Sequence, residues 1–546
     1  MTELYVSLGH NSSAIVCDGA RILAGFEQER IDRVKSSSAP PRNAIVYASF
    51  ERGMADLKRA NITHWFETFD MDRIRQSKYW FDLSLVGCEI KSHSDFFTHH
   101  DAHAHSARSF WKSHDGGSEP KRVVVCDGFG NMREHFSVYE IDPKDGHAHR
   151  LFKSYGYDLS LGLFYQFATE SMGMKANQDE YKILGYQSLI QTVMSRRVIE
   201  DMRDSVLLAA TTHASKILAG GSGPISGDLD PLRLIDLNAL KDARAGWDKL
   251  FGKWKSWAPV GSERIVVSYC TQLFLETCMR DLLQQFNIYS YDTAFAGGVF
   301  YNVRLNGLIA RDSTARVAFH PLAGDQGAAL GFGVDKVIDR LDIGMRFDDH
   351  RLPQALPSGV IMSTEDDWVN VAKDKIREGK IVNVLRGRME YGPRALCYTT
   401  TFAPPTLENV KLINESNARS TVMPMAPVVT RDAAVALFGP RLDNVVGSHE
   451  YMVIAVDYEE KPGDDMLGAA HPDPLDGSWS GRPQVATDPQ VVGLLESVGT
   501  RGALINTSFN YHGEPIVLSA SQAIKTHEAQ VAAIGSDRIV TIITKD

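Results

Sequence analysis

The chain has 546 residues, well above the usual size of one domain, so two or more domains are expected. Its composition, with 43% hydrophobic, 9% aromatic and 23% charged residues, is that of an ordinary globular protein and excludes fibrous and low-complexity classes. The formal net charge of -10 disfavours tight nonspecific binding to polyphosphates, although it leaves room for a local basic groove.

The first residues lack the basic and long apolar segments of a signal peptide, and no apolar run is long enough to span a bilayer. A cytoplasmic location with no membrane partner is therefore expected. The six cysteines are scattered without a Cys-x-x-Cys pair, which predicts reduced, mostly buried thiols rather than a disulfide scaffold or a thiolate zinc site.

The N-terminal region is a predicted meander of strands at Leu4 to Leu8, Ala14 to Cys17 and Ile22 to Phe26, separated by polar, glycine-containing turns. A similar pattern of strand, glycine-containing break and strand returns at Val123 to Cys126 and Phe136 to Ile141. Two such copies predict a duplicated α/β core of the actin or ribonuclease-H type (the ASKHA group), with a ligand cleft between its halves.

Residues 154–290 are predicted to be largely helical, and the next Gly-containing strand exits lie at Ala294 to Tyr301 and at Leu322 to Gly327. The pattern loosens around residues 340–360, where Asp, Pro and Gly cluster, which predicts a domain boundary.

The predicted domains are 1–350 and 360–546. In the second, Ser363 to Asp366 predicts the capping segment of a helix, and a strand follows at Ile381 to Leu385.

A histidine-rich stretch at residues 98–107 carries the clearest chemical signal. His99 and His103 are four residues apart, so on a helix their imidazoles project from one face, as two ligands of one metal require. The general-base position of the His-Glu-x-x-His proteases is empty, because Asp101 and Ala102 stand there. A solvated or helix-capping histidine cluster is the alternative left open by the spacing alone.

Two aspartates are candidates to complete such a site. Asp127 and Asp325 each follow an apolar strand in a Gly-rich exit, the place where open α/β sheets collect ligands. Two histidines and two aspartates suit iron, zinc or manganese. Each aspartate taken singly is more often a turn former.

Candidate nucleotide and phosphate contacts occur in both halves. Gly297, Gly298 and Asn302 form a loop whose backbone can approach a ligand closely. The guanidinium groups of the second half are suited to phosphate and carboxylate oxygens, and surface salt bridging is the alternative for any one of them. These residues, with the polar segment that follows them, are Arg388, Arg394, Arg419, Arg482, Asn506, Thr507, Ser508 and Asn510.

In the order of these motifs the chain resembles the NodU/CmcH family of carbamoyltransferases over nearly its whole length. The matching blocks include Gly-His10-Asn, Glu27 to Arg30, the His-His-x-x-His run, Val125 to Gly128, Ser160 to Tyr165, Asp179 to Lys182, Ala296 to Gly298, Gly324 to Gly327, Gly387 to Leu396 and Leu504 to Val517.

The resemblance implies a TsaD-like N-terminal domain and a YrdC-like C-terminal domain. The YrdC-like domain would form carbamoyl-adenylate from carbamoyl phosphate and ATP, with Mg2+ accompanying the nucleotide and the second-half residues named above holding phosphates, carbamoyl group and nucleotide. In the TsaD-like domain, His99, His103, Asp127 and Asp325 would hold iron (Fe2+) or another divalent metal. His10 would take the proton of the acceptor hydroxyl, and Lys182 is a further expected cofactor contact.

The chain also departs from the family pattern. The family continues Gly-Pro-Arg-Ala-Leu with Gly-Asn-Arg-Ser, whereas this chain has Cys397 to Thr400, and it has Asn417 where the family tends to keep lysine. Phosphate-binding cations are thus missing or relocated, and a rearranged pocket is expected.

The acceptor hydroxyl is left open among natural products, sugars and hydroxymethylated nucleobases, including 5-hydroxymethylcytosine in DNA. DNA is therefore a candidate partner, and a homodimer a candidate assembly. Lys253 to Trp257 interleaves cations with aromatic residues that could stack on a sugar or base, although an amphipathic helix face is the more common explanation. The alternative functions are a threonylcarbamoyl-type transferase acting on nucleic acid and a metal-dependent hydrolase.

Overall fold

The structure, a computed structural model, describes most of the chain. The described residues are 2–7, 11–39, 41–52, 59–63, 89–92, 98–221, 236–333, 335–346, 352, 355–419, 423–473 and 477–545. Both halves of the chain contain helices as well as strands, so the predicted mixed α/β class is confirmed. Among the described residues no helix is both long and apolar enough to cross a bilayer.

The first half contains two five-stranded sheets. Their strands are Thr2–Ser7 (β1), Ser13–Asp18 (β2), Arg21–Glu27 (β3), Arg59–Thr63 (β4), Glu89–Ser92 (β5), Arg122–Cys126 (β6), Glu134–Ile141 (β7), Ala148–Tyr155 (β8), Thr293–Ala296 (β9) and Val317–Phe319 (β10). The orders are β3-β2-β1-β4-β5 and β10-β9-β6-β7-β8. In each sheet the three strands that come first along the chain pair antiparallel: β1 to β3 in one and β6 to β8 in the other. The two later strands, β4 and β5 or β9 and β10, join in parallel.

Helices connect several of these strands. The helices of this half are Gln28–Asp32 (α1), Arg42–Arg52 (α2), His99–His114 (α3), Leu161–Ser171 (α4), Tyr181–Gln187 (α5), Ile190–Val193 (α6), Arg196–Leu218 (α7), Leu237–Trp257 (α8), Glu263–Gln285 (α9), Val303–Asp312 (α10) and Asp325–Ala328 (α11). The prediction of a largely helical stretch from 154 to 290 is confirmed over its described part, from α4 to α9.

The second half is built on a seven-stranded sheet and a small three-stranded one. Its strands are Val360–Thr364 (β11), Ile381–Leu385 (β12), Thr399–Ala403 (β13), Ala426–Val429 (β14), Val456–Asp457 (β15), His471–Pro472 (β16), Trp479–Gly481 (β17), Gln484–Val485 (β18), Ala503–Ser508 (β19) and Ile539–Lys545 (β20). The orders are β11-β20-β12-β13-β19-β14-β18 and β15-β17-β16. The helices are Trp368–Arg377 (α12), Leu407–Ser416 (α13), Arg431–Phe438 (α14), Pro489–Val498 (α15) and Ala520–Ile534 (α16).

Sequence patterns explain where these elements form. The uninterrupted apolar run of β6 is buried apart from its first residue, as expected for a strand covered on both faces. In α12 the buried residues Trp368, Ala372 and Ile376 recur every four positions and pack on the seven-stranded sheet. The capping prediction was wrong in position, because Ser363 and Thr364 belong to β11 and α12 begins only at Trp368.

The two halves share a hydrophobic core. Val445 forms a parallel bridge to Val317, so the segment before β15 extends the second sheet beyond β10. Residues of this segment, such as Val453 and Ile454, belong to the same buried cluster as Phe295 and Phe319 of the first half. We refer to residues 2–346 as the first unit and to 355–545 as the second unit; the predicted domain bounds remain a prediction.

Candidate metal centre and anion sites

Helix α3 brings the two candidate histidines to one face. Thr98 and Asp101 form a capping box at its start, which fixes the first turn. The backbone N–H of His99 also donates to Asn131 Oδ1 at 2.8 Å. His99 and His103 are buried, and their Nε2 atoms lie 3.1 Å apart.

Asp127 reaches this face from the end of β6. Its Oδ1 accepts hydrogen bonds from the backbone N–H groups of Gly128, at 2.8 Å, and Gly298, at 3.0 Å. Because Oδ1 is held in this way, Oδ2 faces the histidines, 3.1 Å from Nε2 of His99 and 3.4 Å from Nε2 of His103.

Asp325 completes the group from the first position of α11. Its Oδ1 lies 3.4 Å from Nε2 of His99 and 3.9 Å from Nε2 of His103. One ligand atom from each of the four residues lies within 4.8 Å of the other three. The four candidate ligands therefore converge, although Asp325 is more than 220 positions from His99 in the chain.

Electrostatics couple these groups strongly. Burial alone would lower the pKa of His99, but the hydrogen bonds and charges of Asp127 and Asp325 outweigh it and raise that pKa to about 10. Burial opposes ionisation of Asp127, yet its hydrogen bonds with His103 and His99 hold its pKa well below the usual range. Carboxylates facing buried imidazoles in this way can share one cation, whether a proton or a metal ion.

The donor set fits a divalent transition metal. Two imidazole nitrogens and two carboxylate oxygens match iron, manganese or zinc, and the backbone bonds that orient Asp127 are the kind of support that metal ligands need.

Sequence patterns assigned no role to the residues that pack against the backbone of Asp127 and Gly128. Ser160 caps α4 and its Oγ donates to the carbonyl oxygen of Gly128. A Cβ at Gly162 would lie only 2.7 Å from the Gly128 nitrogen and 2.8 Å from the Asp127 carbonyl, so only glycine lets α4 approach this strand end. The Ser-Leu-Gly sequence was visible, but nothing local tied it to Asp127.

The predicted nucleotide loop supports the centre. Gly297 adopts φ 97°, and a Cβ there would lie 2.2 Å from the Cys126 carbonyl oxygen, so the loop packs against the end of β6. Gly298 donates to Asp127, as described above. Asn302 caps α10 through Leu305 and exchanges hydrogen bonds with Gln272. The contacts described for Gly297, Gly298 and Asn302 are thus with protein groups.

Two further predictions concern His10 and Lys182 of the first unit. His10 lies outside the described residues. Lys182 forms an ion pair with Asp179 at 2.8 Å.

The predicted arginines of the second unit fall into separate groups. Arg394 and Arg482 are half-buried and form no ion pair with a carboxylate in the described part of the chain. Burial, and then the positive charge of Arg394, lower the pKa of Arg482 to about 9. Burial lowers the pKa of Arg394, and the phenol of Tyr301 opposes that effect. Tyr301 packs beside Gly324. Two neighbouring guanidinium groups without a carboxylate partner among the described residues have the charge and the donors that suit an anion, and Tyr301 connects Arg394 to the loop of Gly324 and Asp325.

Arg388 has a different environment. Its Nη2 donates to the Ile343 carbonyl at 3.5 Å, and its backbone forms an antiparallel bridge with Arg346.

Arg419 belongs to another group, formed with the predicted polar segment. Its guanidinium donates to Thr507 Oγ1 at 3.0 Å, to Asn510 Oδ1 at 2.9 Å and to two oxygens of Ser508. Asn506 does not join them, because its buried amide bonds to Ala395 and other interior groups.

The segment that carries Arg394 is inserted into the first unit. The Tyr391 hydroxyl lies 2.8 Å from Ser13 Oγ and 3.0 Å from the carbonyl oxygen of Gln326, the neighbour of Asp325. The N–H of Gly392 donates to Glu27 at 2.9 Å. The segment that precedes Arg394 is thus anchored beside the loop that carries Asp325.

The cation–aromatic stretch near the end of α8 is an amphipathic face. Trp254 is buried in the core, and Lys253 lies over the ring of Trp257. The ring of Trp254 is therefore not exposed for stacking on a sugar or base.

Comparison with known proteins identifies the family. The models "Carbamoyltransferase N-terminus" and "Carbamoyltransferase C-terminus" match residues 69–216 and 373–539. An uncharacterized protein of Methanocaldococcus jannaschii is 26% identical, over 95% of both chains. Nodulation protein NolNO of Sinorhizobium fredii is 25% identical, over 95% of this chain and 76% of its own length. The 3'-hydroxymethylcephem-O-carbamoyltransferase of Amycolatopsis lactamdurans is 27% identical, over 42% of this chain and 44% of its own. Matched by both models in order, the chain belongs to the NodU/CmcH family of carbamoyltransferases.

Proposed function

We propose that the chain is an ATP-dependent O-carbamoyltransferase. In the second unit, carbamoyl phosphate, ATP and water would give carbamoyl-adenylate, pyrophosphate and phosphate. In the first unit, the acceptor oxygen would attack the carbamoyl carbon, AMP would leave, and the hydroxyl proton would pass to a base. The observation that carries the proposal is that the segment of Arg394, with Arg482 beside it, packs against the loop of Asp325 through Tyr391 and Tyr301.

Each part of the chain has a role in this scheme. The charges of Arg394 and Arg482 favour an anionic phosphate group at the junction, since each guanidinium lacks a carboxylate partner in the described chain. Tyr391 and Gly392 fix the position of this pair through their bonds to the first unit. The buried setting of His99 and His103 keeps the reacting groups away from bulk water.

We further propose that His99, His103, Asp127 and Asp325 hold one divalent metal ion, with iron expected from the family. When bound, such an ion acts as a Lewis acid that orients and polarises the transferred group. The protein's own contribution is to orient Asp127 through two backbone N–H groups and to present both imidazoles from one helix face. His10 remains the predicted base.

The actin-like duplication belongs to the same proposal. The two sheets of the first unit have corresponding strand orders and corresponding parallel and antiparallel pairs. That correspondence supports two halves with a cleft between them, and a YrdC-like second unit is the matching expectation.

The acceptor is proposed to be a small molecule with a hydroxymethyl or sugar hydroxyl group. A relative named for 3'-hydroxymethylcephem supports this class. Hydroxymethylated nucleobases, including those in DNA, remain a second acceptor class, with the net charge of -10 counting against a long polyanion.

The test separates activation from transfer. Purified protein is given ATP, carbamoyl phosphate, Mg2+ and a panel of hydroxyl acceptors, and three quantities are followed: exchange of labelled pyrophosphate into ATP, AMP release, and carbamoyl gain by mass spectrometry. We expect Arg482→Met to abolish exchange, and Asp325→Asn to retain exchange while losing transfer. The proposal is abandoned if the wild type neither consumes ATP nor exchanges pyrophosphate.

A further inference from the structure

The loop after α1 is fixed between the two units. Arg33 donates from Nη1 to the carbonyl oxygen of Ile516 at 2.7 Å and from Nη2 to that of Pro515 at 2.8 Å. Three residues further on, Ser36 Oγ donates to the carbonyl oxygen of Asn177 at 3.0 Å. Lys35 lies between these two attachments, so its backbone is held at the junction from both sides.

Each of the two attachment points lies close to a further cation, Arg419 on one side and Lys182 on the other. On the second-unit side, the turn that receives Arg33 also accepts from Asn510, whose Nδ2 donates to the Glu514 carbonyl at 2.7 Å and whose Oδ1 accepts from Arg419. On the first-unit side, the N–H of Asn177 donates to the carboxylate of Glu180, in the turn that precedes Lys182.

The cations around this loop differ in whether they have a carboxylate partner. Arg33 pairs with Glu514 at 3.5 Å, and Lys182 pairs with Asp179 at 2.8 Å. Lys35, by contrast, has no carboxylate within ion-pair distance among the residues that the structure describes, and Arg419 donates only to neutral oxygens. Lys35 and Arg419 are therefore two cations at this junction without a carboxylate partner in the described part of the chain.

The pKa shifts of Lys35 and Arg419 agree with their lack of a carboxylate partner. Burial lowers the pKa of Lys35; Glu29 and Asp179 oppose that effect, whereas Arg419 adds to it. Burial also lowers the pKa of Arg419. A bound anion would stabilise the charged form of both side chains.

We propose that Lys35, contributed by the first unit, completes an anion site with Arg419 of the second unit and with Lys182, and that this site binds a phosphate group of a reactant or product. The identity of the ligand rests on the proposed function. Lys35 is thus a phosphate-binding residue for the activation step, and it couples that step to the packing of one unit on the other.

The test measures binding directly. Inorganic pyrophosphate, AMP and carbamoyl phosphate are titrated separately into the full-length protein by calorimetry, which distinguishes the sources of the phosphate group. Wild type is compared with Lys35→Met, Lys35→Gln and Lys35→Arg. Lys525→Met, an exposed position on α16, is the matched control for loss of one positive charge.

We expect Lys35→Met and Lys35→Gln to weaken at least one of the three ligands tenfold or more, and Lys35→Arg and Lys525→Met to bind it within about twofold of wild type. Circular dichroism and the unfolding midpoint check folding, and Lys35→Gln serves if Lys35→Met is unstable. Unchanged affinity in the folded neutral variants, an equal loss in Lys525→Met, or no binding of any of the three by wild type overturns the inference.

The same data keep the two proposals apart. Lys35-dependent binding without any consumption of ATP would leave the site standing and remove the proposed function. Carbamoyl-phosphate-dependent ATP consumption with Lys35-independent binding would do the reverse.

Discussion

A pair of glycine-to-alanine substitutions tests how Asp127 is positioned. Gly162 lies in the first turn of α4 and Gly246 in the interior of α8, so alanine raises helix propensity at both positions, by up to about 1 kcal/mol. Their surroundings differ. No atom lies within 4 Å of a Cβ at Gly246, whereas a Cβ at Gly162 would lie 2.7 Å from Gly128 N and 2.8 Å from the carbonyl carbon and oxygen of Asp127.

The magnitude follows from that overlap. Ordinary contacts of a Cβ begin at 3.4 Å, so α4 and the end of β6 must separate by roughly half an ångström or more, and neither side is a flexible side chain. Overpacking of this kind costs about 1–3 kcal/mol, which exceeds the propensity gain. We expect Gly162→Ala to lower the free energy of unfolding by about 1–2 kcal/mol and Gly246→Ala to raise it by about 0.5–1 kcal/mol.

Metal affinity supplies the second readout. Displacement of Asp127 disturbs a candidate ligand indirectly, and such changes typically weaken binding by about 10–100-fold. Urea unfolding of metal-free protein, and competition for Fe2+, Mn2+ or Zn2+ with a chelator, measure the two effects. If Gly162→Ala is as stable as Gly246→Ala and binds metal as wild type does, the account of Asp127 is refuted.

Three further predictions concern the centre, the core and the junction. Asp127→Asn should keep the fold, because an amide oxygen can accept the same two backbone N–H groups, but elemental analysis should find little bound metal; full metal content would contradict the assignment. Burial lowers the pKa of His135 to about 3 and that of His213 to about 4, so the unfolded chain binds more protons and stability is lost as pH falls below about 6.5. At pH 5.5 the two histidines together should cost about 3 kcal/mol in urea unfolding of the metal-free protein, and an equally large pH dependence after both are changed to Gln would be inconsistent with this cause. Tyr391→Phe removes a buried hydroxyl with two polar neighbours and should destabilise the protein by about 1–3 kcal/mol, while the exposed Tyr181→Phe control should change little.

Local pattern accounts for much of the secondary structure. The apolar run that ends at Cys126 predicted β6 to within one residue, and Ile381–Leu385 was predicted at both ends. The His99 and His103 spacing predicted one helix face, and α3 confirms it. These features depend on residues close in sequence, whose hydrophobic period and helical spacing are fixed by backbone geometry. The predicted start of α12 was wrong by a few residues, because Ser363 and Thr364, which were expected to cap the helix, belong to strand β11.

The long-range features came from resemblance or from the structure itself. The strand-exit pattern named Asp127 and Asp325 as candidates, but no local rule indicates that both meet the same two histidines, or that Gly162 makes room for Asp127. Nor does a local rule indicate that the side chain of Asn506, predicted to contact ligand, forms hydrogen bonds with interior groups. That the four converging side chains bind a metal stays a prediction.

The sequence by itself determined which segments become strands and helices and which residues carry suitable ligand atoms, because these depend on neighbours along the chain. Only the tertiary structure decided which atoms meet: Oδ2 of Asp127 faces two imidazoles because the backbone of another loop holds Oδ1. It also separated Arg419 from the pair of Arg394 and Arg482, and placed Lys35 at the boundary of the units. Such meetings depend on how sheets, helices and loops distant in sequence pack together, and no local pattern encodes that packing.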